Sequence, residues 1–305
     1  TIDIYNLTIS DNKLGDQTPE TGQSTAAFLT DAHNVSFVDN DVEGPKFGVY
    51  ASGSSNDTVI EQNTFADGAA GVVLLGSGDE TISDNAFRNN TRQYRDFDQE
   101  TDVASLVANN SFDTAVYNAS GDEFVYSSVR DALTGSLLGG GGIDKGTTLR
   151  VAPGTYEENV TIETPNVTLR GPNAGTPGDS DARGPEATIV GKVALEAEGV
   201  TLTGVTVAPD FGFTSDQDRA AAVFVTGNDT VVTDSNITGV RGTASSIHGG
   251  QVFEQSGPRI ENITISNLSV SDIENPEVGG AVGIKVQNQL RDIHVHNNTV
   301  RDIRS

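Results

Sequence analysis

The chain has 305 residues, of which 43 are acidic and 18 basic, giving a net charge of -25. Such a surface repels phosphate backbones and anionic membranes, which argues against nucleic acid and membrane insertion as modes of binding. The absence of Cys excludes disulfides, thiolate zinc sites and thiol nucleophiles. The chain starts at Thr1 and lacks Met, so we expect a piece of a longer protein. Its acidity favours a high-salt source, and we expect a halophilic archaeon.

A three-residue anchor, apolar-x-x-Asn-x-apolar, repeats along the chain at nearly regular intervals. The anchors are Ile9-Asn12-Leu14, Phe37-Asn40-Val42, Ile60-Asn63-Phe65, Ile82-Asn85-Phe87, Val107-Asn110-Phe112 and Val295-Asn298-Val300, with Val232-Ser235-Ile237 as a variant. A second motif precedes several anchors, as Gly48-Val49-Tyr50, Gly71-Val72-Val73, Ala221-Ala222-Val223 and Ala281-Val282-Gly283. Each repeat therefore predicts two or three short strands separated by tight turns.

One such repeat cannot bury its apolar side alone, whereas stacked repeats can. The sequence thus predicts an all-β fold, a right-handed parallel β-helix (solenoid), in which each repeat forms one coil. The recurring Asn is expected to adopt αL geometry at a turn and to hydrogen-bond from coil to coil. Two core columns are expected, one of Ile9, Phe37, Ile60 and Ile82, the other of Leu14, Val42, Phe65 and Phe87.

The periodicity breaks between about Asn118 and Thr147. A Ser N-cap followed by Val129, Leu133 and Leu137 at helical spacing predicts one short amphipathic helix at about 127–138. The stretch that follows, TLRVAPGTYEENVTI at 148–162, resembles the opening of pectin-lyase-like β-helix domains. In those domains an amphipathic helix covers the first coil. The resemblance implies two tandem units, residues 1–118 without an N-terminal cap of their own and residues 119–305 with the capping helix.

Enzymes, copper-delivery accessory proteins and surface proteins share this fold, so the resemblance names no activity. Polygalacturonase-type hydrolases carry clustered Asp residues, a Gly-His-Gly and an Arg-Ile-Lys; Asp216, Asp218, His248 and Lys285 stand here in that order. Inverting hydrolysis needs two carboxylates that flank the scissile bond. The Asp-Asp pair and the Asn-Thr-Asp motif are missing, so the catalytic set is incomplete. A polysaccharide-processing hydrolase or lyase remains the alternative interpretation.

Two groups of side chains are candidate metal ligands. Asp96, Asp98, Glu100 and Asp102 alternate in one segment and suit calcium, although the segment lacks the spacing of an EF-hand and a solvated acidic loop is the favoured interpretation. His294 and His296 flank Val295, which is expected to point inward, so both His side chains should face outward and could serve a transition metal. We expect no cofactor other than this calcium.

Asn-x-Ser/Thr sequons are dense, and each is a candidate for N-glycosylation, which implies export. They begin at Asn6, Asn34, Asn56, Asn89, Asn109, Asn118, Asn159, Asn166, Asn228, Asn236, Asn262, Asn267 and Asn297. The sequence therefore favours an extracellular or cell-surface scaffold, structural or adhesive, that forms filaments and binds glycans. A viral spike or fibre component is a further alternative.

Both ends of the sequence read directly as coils, without a helix or a charged plug to cover them. A β-helix end presents unpaired backbone groups that template further strand pairing. We therefore expect the first and last coils to contact other copies of the chain or adjoining polypeptide.

Overall fold

A computed structural model describes residues 4–15, 24–76, 78–97, 101–119, 124–135, 142–209, 212–213, 221–242, 246–253, 259–275, 280–287 and 290–305. Within these residues the fold is all-β apart from two short helices, and the chain divides into two compact units, Thr1–Ser128 and Val129–Ser305. The predicted division after residue 118 falls earlier than this one. The difference arises because residues 124–126 pair with a strand of the first unit.

In its described residues, the first unit contains one helix, α1 (Val103–Asn109), and fifteen strands. The strands are β1 (Ile4–Ser10), β2 (Lys13–Gly15), β3 (Thr25–Thr30), β4 (Ala32–Val38), β5 (Asp41–Glu43), β6 (Phe47–Ser52), β7 (Val59–Glu61), β8 (Thr64–Ala66), β9 (Ala70–Leu75), β10 (Thr81–Ser83), β11 (Ala86–Arg88), β12 (Arg92–Asp96), β13 (Ser111–Phe112), β14 (Val116–Asn118) and β15 (Phe124–Tyr126).

The second unit begins with the helix α2 (Val129–Thr134) and continues as strands. These are β16 (Thr148–Val151), β17 (Gly154–Tyr156), β18 (Val160–Ile162), β19 (Thr168–Arg170), β20 (Ala187–Ile189), β21 (Val193–Leu195), β22 (Thr201–Thr203), β23 (Thr206–Val207), β24 (Gly212–Phe213), β25 (Ala221–Val225), β26 (Val231–Thr233), β27 (Asn236–Ile237), β28 (Arg241–Gly242), β29 (Ser246–Phe253), β30 (Ile260–Ser266), β31 (Ser269–Val270), β32 (Ile273–Glu274), β33 (Gly280–Gln287), β34 (Leu290–His296), β35 (Thr299–Val300) and β36 (Ile303–Arg304).

Strands stack in parallel from coil to coil, as in a β-helix. In the first unit the stacks run β1-β4-β7-β10, β2-β5-β8-β11-β13 and β3-β6-β9-β12, so each of the first four coils gives one strand to each stack. In the second unit they run β16-β19-β22-β26-β30-β34, β17-β20-β23-β27-β31-β35, β18-β21-β25-β29-β33 and β24-β28-β32-β36. The right-handed sense of the winding stays a prediction.

The two predicted core columns are confirmed. Ile9 pairs with Phe37, which pairs with Ile60 and so on to Ile82. Leu14, Val42, Phe65 and Phe87 form the second column in register, and Phe112 continues it. Its aromatic rings stack, with centroids 5.2 Å apart from Phe65 to Phe87 and 4.8 Å apart from Phe87 to Phe112.

The recurring Asn residues form a continuous ladder through the first unit. The backbone N–H and the side-chain Nδ2 of Asn12 both donate to Oδ1 of Asn40, and the pattern repeats from Asn40 to Asn63, Asn63 to Asn85 and Asn85 to Asn110. All eight distances lie between 2.9 and 3.1 Å. The predicted coil-to-coil hydrogen bonding is therefore confirmed.

The αL geometry, however, belongs to the residue before the ladder Asn, so that part of the prediction was wrong by one position. Two αL residues five positions apart recur in most coils, and the second directly precedes the ladder position. The pairs are Asn6/Asp11, Asn34/Asp39, Asp57/Gln62, Asp79/Asp84, Asp229/Asp234, Asn262/Asn267 and Asp292/Asn297. Asn and Asp tolerate this conformation better than other side chains, which explains their density in the sequence.

The Gly of the second motif makes room for the aromatic column. A Cβ on Gly48 would lie 2.5 Å from Cδ1 of Phe65, and one on Gly71 would lie 2.6 Å from Cδ1 of Phe87. Gly283 stands in the same relation to Val300. The Gly of the second motif therefore packs directly against the last apolar residue of the anchor that follows it.

Helix α1 was not predicted and replaces a strand. The anchor Val107-Asn110-Phe112 suggested another coil strand, but Val103 to Asn109 is helical, with Val103 and Leu106 buried. Asp102 caps this helix by accepting a hydrogen bond from the backbone N–H of Ala104 at 3.1 Å. A second departure is β15, which pairs antiparallel with β12 and β14.

The predicted helix at about 127–138 corresponds to α2, which ends at Thr134; residues 136–141 lie outside the described residues. The helix packs against β18 and buries Val129, Ala132 and Leu133. Among the described residues, neither helix has the length and apolarity that crossing a membrane requires.

Candidate functional site

The TYEEN stretch that carries the resemblance has a structural task. Glu158 accepts hydrogen bonds from the backbone N–H groups of Val129 at 2.7 Å and Arg130 at 2.9 Å. These are orphan donors in the first turn of α2, so the carboxylate fixes the helix on the first coil of the second unit. Burial raises the pKa of the Glu158 carboxyl, and the backbone donors and Arg130 oppose that rise.

The polygalacturonase-like residues fall on one sheet only in part. His248 lies on β29, 3% exposed, and pairs with Ala221 and Val282. Lys285 lies on β33 and pairs with Gln251, three positions further along the strand from His248. Asp216 and Asp218 lie outside the described residues. Strands β25, β29 and β33 carry no Asp or Glu, so these three strands supply no carboxylate pair beside His248.

Two carboxylates of the acidic segment have different structural roles. Asp96 is buried and accepts a hydrogen bond from the backbone N–H of Thr101 at 3.0 Å. Asp102 accepts from the Ser105 hydroxyl at 2.7 Å, which lowers the pKa of Asp102, and caps α1. Asp98 and Glu100 lie outside the described residues. The calcium site stays a prediction; within the described ranges no three His, Asp or Glu side chains are placed to share a metal ion.

His294 and His296 lie on β34 and are both exposed. Val295 between them pairs with the buried Ile265 but is itself 45% exposed, because it belongs to the last coil of its sheet. Both imidazoles thus remain accessible, and no further metal ligand joins them among the residues described. Their role in binding a transition metal stays a prediction.

A cavity of about 420 Å³ opens between β10 and α1 in the first unit. Ile82 and Leu106 form part of its lining, together with the carboxylates of Asp79, Glu80 and Asp102. The cavity exists because α1 takes the place of a fifth strand beyond β10. Neither the cavity nor the helix follows from the repeat pattern.

Two buried arginines on β12 were also missed. The guanidinium of Arg92 lies over the rings of Phe124 at 5.1 Å and Tyr126 at 5.4 Å, and that of Arg95 lies over Phe97 at 3.3 Å and Phe124 at 4.7 Å. Buried cation–π contacts of this kind are favourable when the cation is desolvated. These contacts hold the antiparallel strand β15 against β12. In the sequence, the sign of such contacts is a pair of Arg residues inside a strand-like segment.

None of the thirteen sequon Asn residues is buried. Eight are exposed, namely Asn6, Asn34, Asn89, Asn109, Asn159, Asn166, Asn262 and Asn297, and five are half-buried, namely Asn56, Asn118, Asn228, Asn236 and Asn267. The Asn ladder of the first unit uses other positions. Ladder and sequons are therefore separate sets, and modification of the sequons stays a prediction.

The coil geometry of the first unit agrees with a comparison to known families. Residues 2–143 match the family described as periplasmic copper-binding protein (NosD). This is a β-helix family, and the match covers a little under half of the chain. No curated protein matches the chain, and neither does any solved structure.

The residues of the matched segment do not fit a copper site. Copper prefers imidazole and sulfur ligands, yet residues 2–143 contain a single His, His33, and neither Cys nor Met. Nδ1 of His33 shares a hydrogen bond of 2.8 Å with Oδ1 of Asn56, and its ring stacks on Tyr5. The similarity to NosD therefore concerns the fold, and we derive no chemistry from copper.

Proposed function

We propose that this chain is a structural scaffold that works outside the cytoplasm at the cell surface. The observation that carries the proposal is the Asn ladder. In the first unit, the polar side chains at the ladder position are spent on joining one coil to the next, with both the N–H and the amide of each Asn engaged. A catalytic or ligand-binding surface would instead leave such groups directed at a ligand.

The second unit is braced in a different way. Residues 171–186 leave β19 and cross several coils: the backbone N–H of Gly175 donates to Asp234, that of Gly178 donates to the carbonyl of Asn267, and Thr299 donates to Asp179. Arg183 holds this segment with a two-point ion pair to Glu186 at 2.7 and 2.9 Å and a hydrogen bond to the carbonyl of Asp234. Hydrogen bonds that connect several coils along the stacking direction suit a structural protein that bears load.

The location outside the cytoplasm is supported by the similarity of residues 2–143 to a family described as periplasmic and by the exposure of eight of the thirteen sequon Asn residues. Antibody labelling of intact cells of the native host tests it. We expect labelling without permeabilisation and loss of the antigen when intact cells are treated with protease. Antigen that is found only in the cytoplasmic fraction would contradict the proposal.

The scaffold proposal also predicts that the chain does not turn over polysaccharides. Purified protein incubated with polygalacturonate and related acidic glycans should release no new reducing ends and no unsaturated products. Turnover that is lost in His248→Ala or Asp218→Asn would establish the hydrolase alternative instead. Glycan binding without turnover stays a prediction and is compatible with the scaffold.

A further inference from the structure

The first coil of the first unit and the last coil of the second unit have matching geometry. Strands β1 and β34 are each seven residues long, and the third residue of each, Asn6 and Asp292, is αL. The second αL residue follows five positions later in both, as Asp11 and Asn297. Coils of equal strand length and equal bends can stack in register, as they do within each unit.

The apolar positions of the two coils also correspond. With Asn298 set opposite Asn12, Leu290 faces Ile4, Ile293 faces Leu7, Val295 faces Ile9 and Val300 faces Leu14. These eight residues belong to the same core positions that pair from coil to coil inside the units. Ile4, Val295 and Val300 are 43%, 45% and 47% exposed, so a facing coil would bury them.

The hydrogen bonds of the Asn ladder run in the direction that a further coil would need. Within the first unit, the N–H and Nδ2 of each ladder Asn donate to Oδ1 of the next coil's Asn, so a coil placed before β1 would donate to Asn12. Asn298, at the same position in the last coil, already accepts from the backbone N–H of Leu268 at 2.9 Å. By the pattern of the first unit, its own N–H would donate to a next coil.

Two hydrogen bonds between the first αL residues of neighbouring coils run in the opposite sense. Asn34 donates to Oδ1 of Asn6 at 2.5 Å, and Asn262 donates to Oδ1 of Asp229 at 2.8 Å. Each amide thus donates back to the preceding coil. In the register defined by Asn298 and Asn12, the amide of Asn6 would donate to the carboxylate of Asp292.

The charges agree with the same register, which matters for a chain of net charge -25. Arg291 would face Tyr5, Asp292 would face Asn6 and Thr299 would face Lys13. Along β34 and β35, therefore, no carboxylate meets another carboxylate across the contact. Like charges placed opposite each other on paired strands would be destabilising.

We propose that a second copy of this chain docks β1 and β2 onto β34 and β35, so that copies associate head to tail. The contact uses different surfaces on the two partners and leaves one free face at each end, so association can propagate. This inference deepens the proposed scaffold role and rests on it. Cell labelling reports location and sedimentation reports self-association, so either can fail without the other.

Analytical ultracentrifugation of the 305-residue chain tests the inference in about 1 M NaCl, where the Debye length is about 3 Å and net repulsion is screened. A series of species that grows with concentration is expected. Asn6→Asp should raise the dissociation constant at least about tenfold, because it replaces a donor to Asp292 by a second carboxylate. The new carboxylate still accepts the hydrogen bond from Asn34, so the fold of the first coil is kept.

Two further variants make the result specific. Asn6→Asp combined with Asp292→Asn should restore association, because the donor and acceptor are exchanged. Thr8→Ala removes the Asn6 sequon but keeps the amide, so it should associate like the unchanged chain. A chain that stays monomeric at its highest soluble concentration, or an Asn6→Asp variant that associates normally, would overturn the proposal. If the chain stays monomeric, these faces would instead be covered by further β-coils of a longer polypeptide.

Discussion

Asn63 is the most informative position in the ladder, because its side chain joins three coils. Its Nδ2 donates to the carbonyls of Phe37 and Glu61 and to Asn85, at 2.8 to 2.9 Å. Its Oδ1 accepts two hydrogen bonds from Asn40. Asn63→Ala removes all five bonds at a site that is 1% exposed. Two buried groups left unsatisfied at about 1–3 kcal/mol each would lower the free energy of unfolding by about 2–6 kcal/mol.

Asn12→Ala is the matched control. Asn12 lies at the exposed end of the same ladder. The variant keeps the backbone bond to Asn40, and water can replace the lost side-chain bond, so the expected loss is about 1 kcal/mol or less. Urea unfolding followed by tyrosine fluorescence suits this comparison, because the chain has no Trp and five of its six Tyr residues lie in the first unit. Equal losses for the two variants would refute the view that the buried ladder stabilises the coils.

Further expected outcomes concern Ile82 in the core, Gly71 beside the aromatic column, Glu158 at the start of α2, and the salt concentration. Ile82→Ala should lower the free energy of unfolding by about 2–5 kcal/mol, because Ile82 is a buried member of its column. Gly71→Ala should cost about 1–3 kcal/mol or more, since its Cβ would lie 2.6 Å from Phe87 and 2.7 Å from the carbonyl of Gln93. The control Gly280→Ala, with no atom within 4 Å, should change stability by no more than about 0.5 kcal/mol. Glu158→Ala should cost about 1–3 kcal/mol by leaving two N–H groups of α2 without their acceptor. Urea unfolding checks each of these, and a Gly280→Ala loss as large as that of Gly71→Ala would contradict the packing argument. The melting temperature should rise steeply from low to molar NaCl as repulsion is screened, and a flat or falling curve by circular dichroism would remove the high-salt argument.

The core could be predicted from sequence because strand periodicity fixes which residues point inward. Phe37 and Phe65 each occur at a fixed distance from a ladder Asn, so their columns follow from alignment of the repeats alone. The αL position was misplaced because Asp39 and Asn40 are adjacent and both residue types tolerate that conformation. Only the hydrogen bonds distinguish which one bends the chain.

Helix α1 shows where pattern matching fails. Val107, Asn110 and Phe112 satisfy the anchor spacing, and the last two do keep their places in the Asn ladder and the aromatic column. Asp102 at the N-cap, with Val103 and Leu106 on one face, is a helix signal that the repeat pattern does not capture. Strand β15 lies where the repeat periodicity breaks, and nothing in the repeat pattern indicates its antiparallel pairing with β12.

Different residue types occupy the ladder position in different coils, so a coil can form without an Asn there. In the second unit Ser235 donates to the carbonyl of Thr233 and accepts from Val205, whereas Leu268 occupies the same slot with no side-chain hydrogen bond to give. Both are still preceded by an αL residue, Asp234 and Asn267. Backbone geometry, more than the ladder side chain, therefore defines a coil. Within the part of the chain that the structure describes, specific recognition is then expected where the repeat is interrupted, as at the cavity beside α1 and at the segment 171–186.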